Sequence, residues 1–548
     1  MALDNNYGDK YNNWHPGNDE YYCNAEATNN FECLSLVKQL LACRRFQDRW
    51  PVCWSKPTAE QNDTSHRMDI YEKHSEETLI RIWHIQCTIV VTLMAIALAR
   101  VVVRHTLGRH RKEEGNDRSK GGTGMVSWCK VYILEFLVIS MPAVVSVNVF
   151  NRYVDHILAI AVIVVLAVVW RSRCTQRAKE RIYEFGRRPA IFTLLRSTIS
   201  LLTVLCILAI DFESFPKKFR KTRRYGAGLM DVGIGLFVFS MALVSPRSKR
   251  FADIRKMCFT VACMLVLGLA RTIVITSIDY HQDEHEYGKH LNAFFTLGFT
   301  KLFGTLFGFL ARSHKHLLPL GLVILIIHEV TLQCGIASFV LDPFDRTDLL
   351  TANREGICSL PGFIALYLLS QYIGQWIKSK DVLSFEEIKQ KLIHLSCCGA
   401  VLWLVVISSV MVIGIARVTC NFGYVTWMLA IAVTMCALYL FVFDIVLDTL
   451  LPVNKEDHIL ELTNPSEKGL LGNAASAATI SKIPTLVEAI NYNGLVYFLL
   501  GNVLTGAVNI FLNTDERSNT ESVVILMGYM FLTSLVVSLM YRFKIRIA

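Results

Sequence analysis

Residues 201–239 read LLTVLCILAIDFESFPKKFRKTRRYGAGLMDVGIGLFVF. Two apolar runs flank a loop in which six of the eight residues from 217 to 224 are lysine or arginine. In lipid an unpaired backbone N–H or carbonyl costs several kcal/mol, so apolar runs of this kind must close their hydrogen bonds internally as helices. The fold depends on how often such runs recur, and the function on why so much charge sits between two of them.

The runs recur along most of the chain. TIVVTLMAIALARVVV (88–103), HILAIAVIVVLAVVW (156–170), LLPLGLVILIIHEVTL (317–332) and VLWLVVISSVMVIGIA (401–416) are examples. Of the 548 residues, 53% are hydrophobic and 19% charged, and the mean hydropathy is +0.37. A soluble domain of this length carries more charge and shorter apolar runs. The expectation is an all-α polytopic membrane protein with about thirteen transmembrane helices, centred near residues 94, 138, 161, 200, 237, 265, 300, 328, 367, 404, 435, 499 and 531. Residues 1–80 form a polar extension, residues 81–184 the first three spans with basic loops, and residues 185–548 the remaining spans.

The net charge of +10 falls in short clusters between spans, without a basic stripe or interleaved aromatics, which argues against nucleic acid as a partner. Of sixteen cysteines, most lie in apolar runs, as Cys206, Cys258, Cys263 and Cys436 do, where a thiol behaves as a small hydrophobe. Cys23, Cys33, Cys43 and Cys53 stand at ten-residue steps. They read either as two disulfides in an oxidising compartment or as four unrelated thiols. The first residues hold no apolar core of a signal peptide, and the chain ends YRFKIRIA without a retention tetrapeptide.

The loops sort by charge. Residues 104–120, 171–188, 247–256 and 378–391 carry six, seven, five and four Lys or Arg, 312–315 two and the tail 542–546 three. The alternating loops mostly carry one or two: Arg152, Lys289, Arg346 with Arg354, Arg417, Arg517. Short cytoplasmic loops are enriched in Lys and Arg, which predicts a cytoplasmic C-terminus and a lumenal or extracellular N-terminus. The sequon Asn62-Asp63-Thr64 agrees. The loop at 211–228 then falls on the non-cytoplasmic side despite Lys217, Lys218, Arg220, Lys221, Arg223 and Arg224. Either these charges meet anionic headgroups (or an upstream span has been missed), or they form a site for a phosphate-bearing ligand.

Ionisable groups within or at the ends of spans are costly and mark candidate sites. Asp211 ends one apolar run, and Asp231 lies two residues inside the next, beside Gly226, Gly228, Gly233 and Gly235. Asp231 also suits a helix N-terminus, where the macrodipole favours a carboxylate. Residues 279–297 gather Asp283, Glu284, His285, Glu286, Tyr287, His290 and Asn292 before another span. His285 and His290 are five apart and do not share a helix face, so no metal is expected, and hydrogen bonding to a substrate or a solvated loop remains. Asn353, Arg354 and Glu355 stand at the mouth of the ninth span, while Asn502, Thr505 and Asn509 form one stripe of the twelfth. For that stripe the alternative is interhelical hydrogen bonding.

AIDFESFPKKFRKT followed by YGAGLMDVGIGLFVFS, then EYGKHLNAFFTL, ANREGI and NGLVYFLLGNVLTGAVN, resembles in content and order the inositol acyltransferases of glycosylphosphatidylinositol (GPI) anchor synthesis. The resemblance implies a multi-pass enzyme of the endoplasmic reticulum membrane that moves a fatty acyl chain, usually palmitoyl, from acyl-CoA to the inositol ring of glucosaminyl-phosphatidylinositol. Acyl-CoA is then a co-substrate, and no cofactor or metal is expected. The family's essential acid and lysine match Asp211 and Lys221. Its further motif residues match Asp231, Glu286, Tyr287, His290, Asn292, Asn353, Arg354, Glu355, Asn502 and Asn509. Asp211 is expected as general base, with His290 as the alternative, and Lys221 as the cation for an oxyanion or phosphate. Lys217, Lys218, Arg220, Arg224 and Arg271 complete the substrate-binding expectation. A secondary transporter and an acyltransferase for another sugar or protein acceptor are the rival classes; a transporter predicts repeat symmetry, which the chain lacks.

Overall fold

The computed structural model describes residues 63–113, 123–149, 151–171, 183–184, 189–245, 251–277, 284–311, 313–341, 346–448, 483–514 and 516–547. Cys23, Cys33, Cys43, Cys53, Asn62 and Asp283 lie outside the described residues, as does most of the polar extension.

The chain is built from helices, as the hydrogen-bond argument requires. In order they are α1 (Asp63–Glu113), α2 (Thr123–Val147), α3 (Val154–Arg171), α4 (Ala190–Ala209), α5 (Leu229–Leu243), α6 (Phe251–Ser277), α7 (Ala293–Leu310) and α8 (Leu317–Thr331). After these come the short α9 (Leu349–Ala352) and α10 (Arg354–Cys358), then α11 (Leu360–Ile377), α12 (Phe385–Val412), α13 (Phe422–Tyr439), α14 (Thr485–Tyr492), α15 (Gly494–Phe511) and α16 (Asn519–Arg542). Helices stand at all thirteen expected span positions. Among the described residues eleven are long and apolar enough to cross a membrane. The other two positions hold α3 and α5. With 15 residues, α5 rises only about 22 Å, short of the roughly 30 Å hydrocarbon layer.

Local sequence explains several boundaries. Ser384 with Glu387, and Ser518 with Glu521, are capping boxes that open α12 and α16, each satisfying two backbone N–H groups that a helix start leaves unpaired. Asn421 caps α13 by accepting from Tyr424 N at 3.0 Å. The start of α14 is capped from another helix: Glu135, buried in α2, accepts from Thr485 N at 3.0 Å and Leu486 N at 2.7 Å. Glu135→Leu leaves both N–H groups without that acceptor. The expected cost is about 1–3 kcal/mol, read as a lowered melting temperature in detergent; an unchanged melt would show that α14 is held by its apolar face alone.

The helices differ sharply in exposure. The windows in α4 and α13 are each 78% buried, whereas that of α6 is 11% buried. Around this core α5 packs on α11 and α4, α12 on α13, and α14 and α15 on α4. At one end, Tyr183 pairs with Leu383 and Glu184 with Val382 in a two-residue antiparallel ladder. At the opposite end gather the loops at 211–228, 284–292, 346–359 and 413–421.

Candidate functional site

The basic loop is folded into the bundle rather than spread on its surface. Phe212, Phe215 and Phe219 are 0–1% exposed, while Glu213, Lys217, Arg220, Lys221, Arg223 and Arg224 face outward. Burial of three phenylalanines stabilises the loop by roughly 1.5–3 kcal/mol each and determines which residues point away. Gly226, with φ of +134°, allows the return toward α5, and its N–H donates to Ile415 O at 2.8 Å. At Gly228 a Cβ would lie 2.0 Å from Arg220 O, so only glycine fits.

Asp231, expected to bind substrate, is instead the clamp of this loop. Its carboxylate accepts from Thr222 Oγ1 at 2.9 Å, Thr222 N at 3.2 Å and Gly228 N at 3.0 Å, and pairs with Arg417 Nε at 3.0 Å. These contacts occupy the lone-pair positions of a carboxylate, and the residue is 0% exposed, which leaves nothing to offer a ligand. Arg417 is buried as well, its guanidinium 5.5 Å from the Tyr287 ring centre. Burial opposes the Arg417 charge, but Tyr287, Glu286, Asp231 and Tyr424 more than offset it and raise its pKa. Loss of solvent pushes the Tyr287 hydroxyl up to about 12 even though part of the ring remains accessible, so it stays a phenol.

The 284–292 loop also descends into the bundle. Asn292 caps α7 by accepting from Phe294 N at 3.0 Å, and its Nδ2 donates to Gly268 O at 2.9 Å. Gly268 stands nine residues before the end of α6 at Ser277, about 14 Å along the helix. Gly288, at φ +95°, brings the loop against Asn353, where a Cβ would meet Asn353 Cα at 2.5 Å. Asn353 Oδ1 accepts from His290 N at 2.8 Å and Leu291 N at 3.2 Å, while Nδ2 donates to Leu349 O at 2.9 Å. The backbone donors fix which amide atom is oxygen, so the 3.1 Å contact from Asn353 Nδ2 to His290 Nδ1 makes Nδ1 an acceptor. A neutral ring then carries its proton on Nε2. Glu355, 1% exposed, receives Arg346 through Nη2 at 2.6 Å and Nη1 at 3.1 Å. Arg346 also reaches Glu284 at 3.0 Å. Asn292, Asn353, Arg354 and Glu355, all expected to touch substrate, are 1–3% exposed; Asn292 ties the 284–292 loop to α6, Asn353 ties it to the 346–359 segment, and Arg354 lies 3.5 Å from Glu355.

What stays accessible is a smaller set. Asp211, half-buried, accepts from Asn509 Nδ2 at 2.9 Å. Lys221 pairs with Glu286 at 2.5 Å. His290 is exposed, and Arg271 on α6 is exposed and near enough to Tyr287 to act on it electrostatically. Lys217 and Lys218 turn to a different set of neighbours, Asn148, Asn151 and Arg152, and Arg220 and Arg224 face outward. The Asn502–Thr505–Asn509 stripe divides: Asn509 reaches Asp211, Thr505 bonds Tyr529 at 3.4 Å, and exposed Asn502 donates to Phe498 O of its own helix at 2.8 Å. Arg417, Arg346, Thr222 and Tyr424 were absent from the expected site. A lone arginine in the otherwise uncharged IARVTCNFG was the available signal for Arg417.

Fold and site together define a polytopic helical membrane protein with an accessible carboxylate and a lysine on one loop, sunk into one end of the bundle. The GWT1 family model matches residues 73–540, and the chain belongs to the GWT1 family. It is similar to GPI-anchored wall transfer protein 1 of Schizosaccharomyces pombe, 32% identical over 64% of this chain and 71% of that one. It is 27% identical to the glucosaminyl-phosphatidylinositol-acyltransferase PIGW of Bos taurus, over 75% of this chain and 87% of that one. An uncharacterized protein of Arabidopsis thaliana, At4g17910, is 28% identical over 80% and 95%. The matched region starts well before residue 209, where the first of the quoted motifs begins.

Proposed function

We infer that this chain is a glucosaminyl-phosphatidylinositol acyltransferase of GPI-anchor biosynthesis, and we propose acyl-CoA as its acyl donor. The observation that carries the mechanism is the placement of Asp211 and Lys221. One loop presents both, the first steadied by Asn509 and the second by Glu286, at the polar end of a bundle where Asp231, Arg417 and Glu355 are buried and paired. The inositol hydroxyl attacks the thioester carbonyl while Asp211 takes its proton. The carbonyl oxygen becomes an oxyanion facing Lys221, and collapse expels the coenzyme A thiolate, leaving an ester on inositol. No acyl-enzyme is required, and with Nδ1 engaged by Asn353, His290 offers Nε2–H as a donor rather than a base. The clustering at this end of the lightly charged 284–292, 346–359 and 413–421 loops supports a lumenal site in the endoplasmic reticulum membrane, with the N-terminus lumenal and the C-terminus cytoplasmic, the basic 211–228 loop being the exception.

The test uses microsomes from cells that lack their own inositol acyltransferase and express this chain, supplied with labelled acyl-CoA and glucosaminyl-phosphatidylinositol. Inositol-acylated product is expected; none from a well-expressed chain would overturn the assignment. In the same assay Lys221→Met should lower the rate about 10²–10³-fold, the scale of losing one oxyanion-stabilising group, mainly in kcat. A loss confined to KM would move Lys221 to substrate binding.

A further inference from the structure

The loop has a second face. Lys217 and Lys218 line a cleft of about 550 Å³ with Ser214, Asn148, Asn151 and Arg152, where the loop meets the turn between α2 and α3. Among the described residues no carboxylate lines it. Phe215 and Phe219, buried on either side of the two lysines, set the loop so that both face the cleft. Asn148 is 4% exposed, yet neither its Oδ1 nor its Nδ2 has a hydrogen-bond partner among the described residues, and the Ser214 hydroxyl is likewise buried and unpartnered. Asn151, by contrast, donates to Ser146 O at 3.5 Å. A buried amide left unsatisfied at both ends costs free energy, and folds keep such groups where something else completes them. Desolvation lowers the pKa of Lys218, as do Arg152 and Arg81, with Asp155 opposing. Asp155 itself accepts from Trp83 Nε1 at 3.0 Å.

We propose that this cleft is a phosphoryl-binding site, distinct from the Asp211–Lys221 centre. Three cations favour a multiply charged oxyanion over a single carboxylate, and the Asn148 amide and Ser214 hydroxyl give two directional donors beneath them. The same chemistry is carried by a lipid headgroup phosphate and by the phosphates of coenzyme A.

Full-length protein in phosphatidylcholine nanodiscs, at constant ionic strength, is melted against inorganic phosphate, against coenzyme A, and with increasing phosphatidylinositol in the disc. A ligand that binds the folded state raises the melting temperature. The variants are Asn148→Leu, which removes no hydrogen bond within the fold, and the double substitution Lys217→Ala/Lys218→Ala. The expected result is stabilisation of the wild type by inorganic phosphate, with apparent affinity weakened about tenfold or more in each variant. The source is whichever of coenzyme A and phosphatidylinositol loses its shift in the same variants. Should Asn148→Leu melt early without ligand, the lysine double variant decides. Wild-type protein insensitive to all three probes, or variants that respond as the wild type does, would overturn the site. Because binding is read rather than turnover, failure here leaves the acyltransferase inference standing.

Discussion

Asp211→Asn is expected to lower inositol acylation by about 10²–10⁴-fold, the usual contribution of a positioned general base, while protein abundance and melting stay near wild type. The substitution keeps size and shape, and the new side chain still offers an oxygen to Asn509 Nδ2, which donates to Asp211 at 2.9 Å. What is lost is the capacity to take a proton. Single-turnover assays in microsomes isolate the chemical step from binding. His290→Ala should cost far less, because His290 Nδ1 is held by Asn353 and the ring serves as a donor. The reverse pattern, activity kept in Asp211→Asn and lost in His290→Ala, would make His290 the base and require its ring to turn away from Asn353.

The second large effect concerns stability. Arg417→Met should destabilise the protein by about 3–5 kcal/mol, the cost of leaving a buried charge without its partner. The observable is a steep loss of folded protein in detergent at temperatures the wild type tolerates. Asp231 would remain in a pocket with 0% exposure, its hydrogen bonds from Thr222 and Gly228 intact but its counter-ion gone. The double variant Asp231→Leu/Arg417→Met should lose less than the sum of the two single changes, since residues in one ion pair couple strongly. Additive losses would show that the two side chains act independently and that the clamp is not an electrostatic unit. The fraction of Arg417→Met that does fold should also have reduced activity, because Gly226 and Thr222, tied to the 413–421 turn and to Asp231, hold the loop that carries Lys221.

The membrane class, a helix at each of the thirteen expected span positions and the family were legible from the sequence, because hydrocarbon imposes one solution on long apolar runs and the motifs come in a fixed order, whereas the short α9, α10 and α14 were not expected. Residue identity also pointed to the loops that form the site, since charge beside a span is costly wherever it is retained. Roles within the site were not legible. Asp231, Asn292, Asn353 and Glu355 carry the same chemical groups as ligand-binding residues, yet in the fold each bonds to neighbouring parts of the protein. That choice depends on contacts the residue types do not specify, some within one loop, as Thr222 and Gly228 with Asp231 and Arg346 with Glu355, and others between segments far apart in the chain, as Arg417 with Asp231 and Asn353 with His290.

The turn of Lys217 and Lys218 away from Lys221 has the same origin. Eight consecutive positions look like one basic patch in sequence, but the burial of Phe215 and Phe219 rotates the lysines between them to another face. The sequence by itself therefore determined that this protein spans the membrane many times and where the spans fall, since lipid acts on every segment separately. Only the tertiary structure decided which of those polar groups remain free to meet a substrate, because desolvation and pairing are properties of neighbours, not of residues.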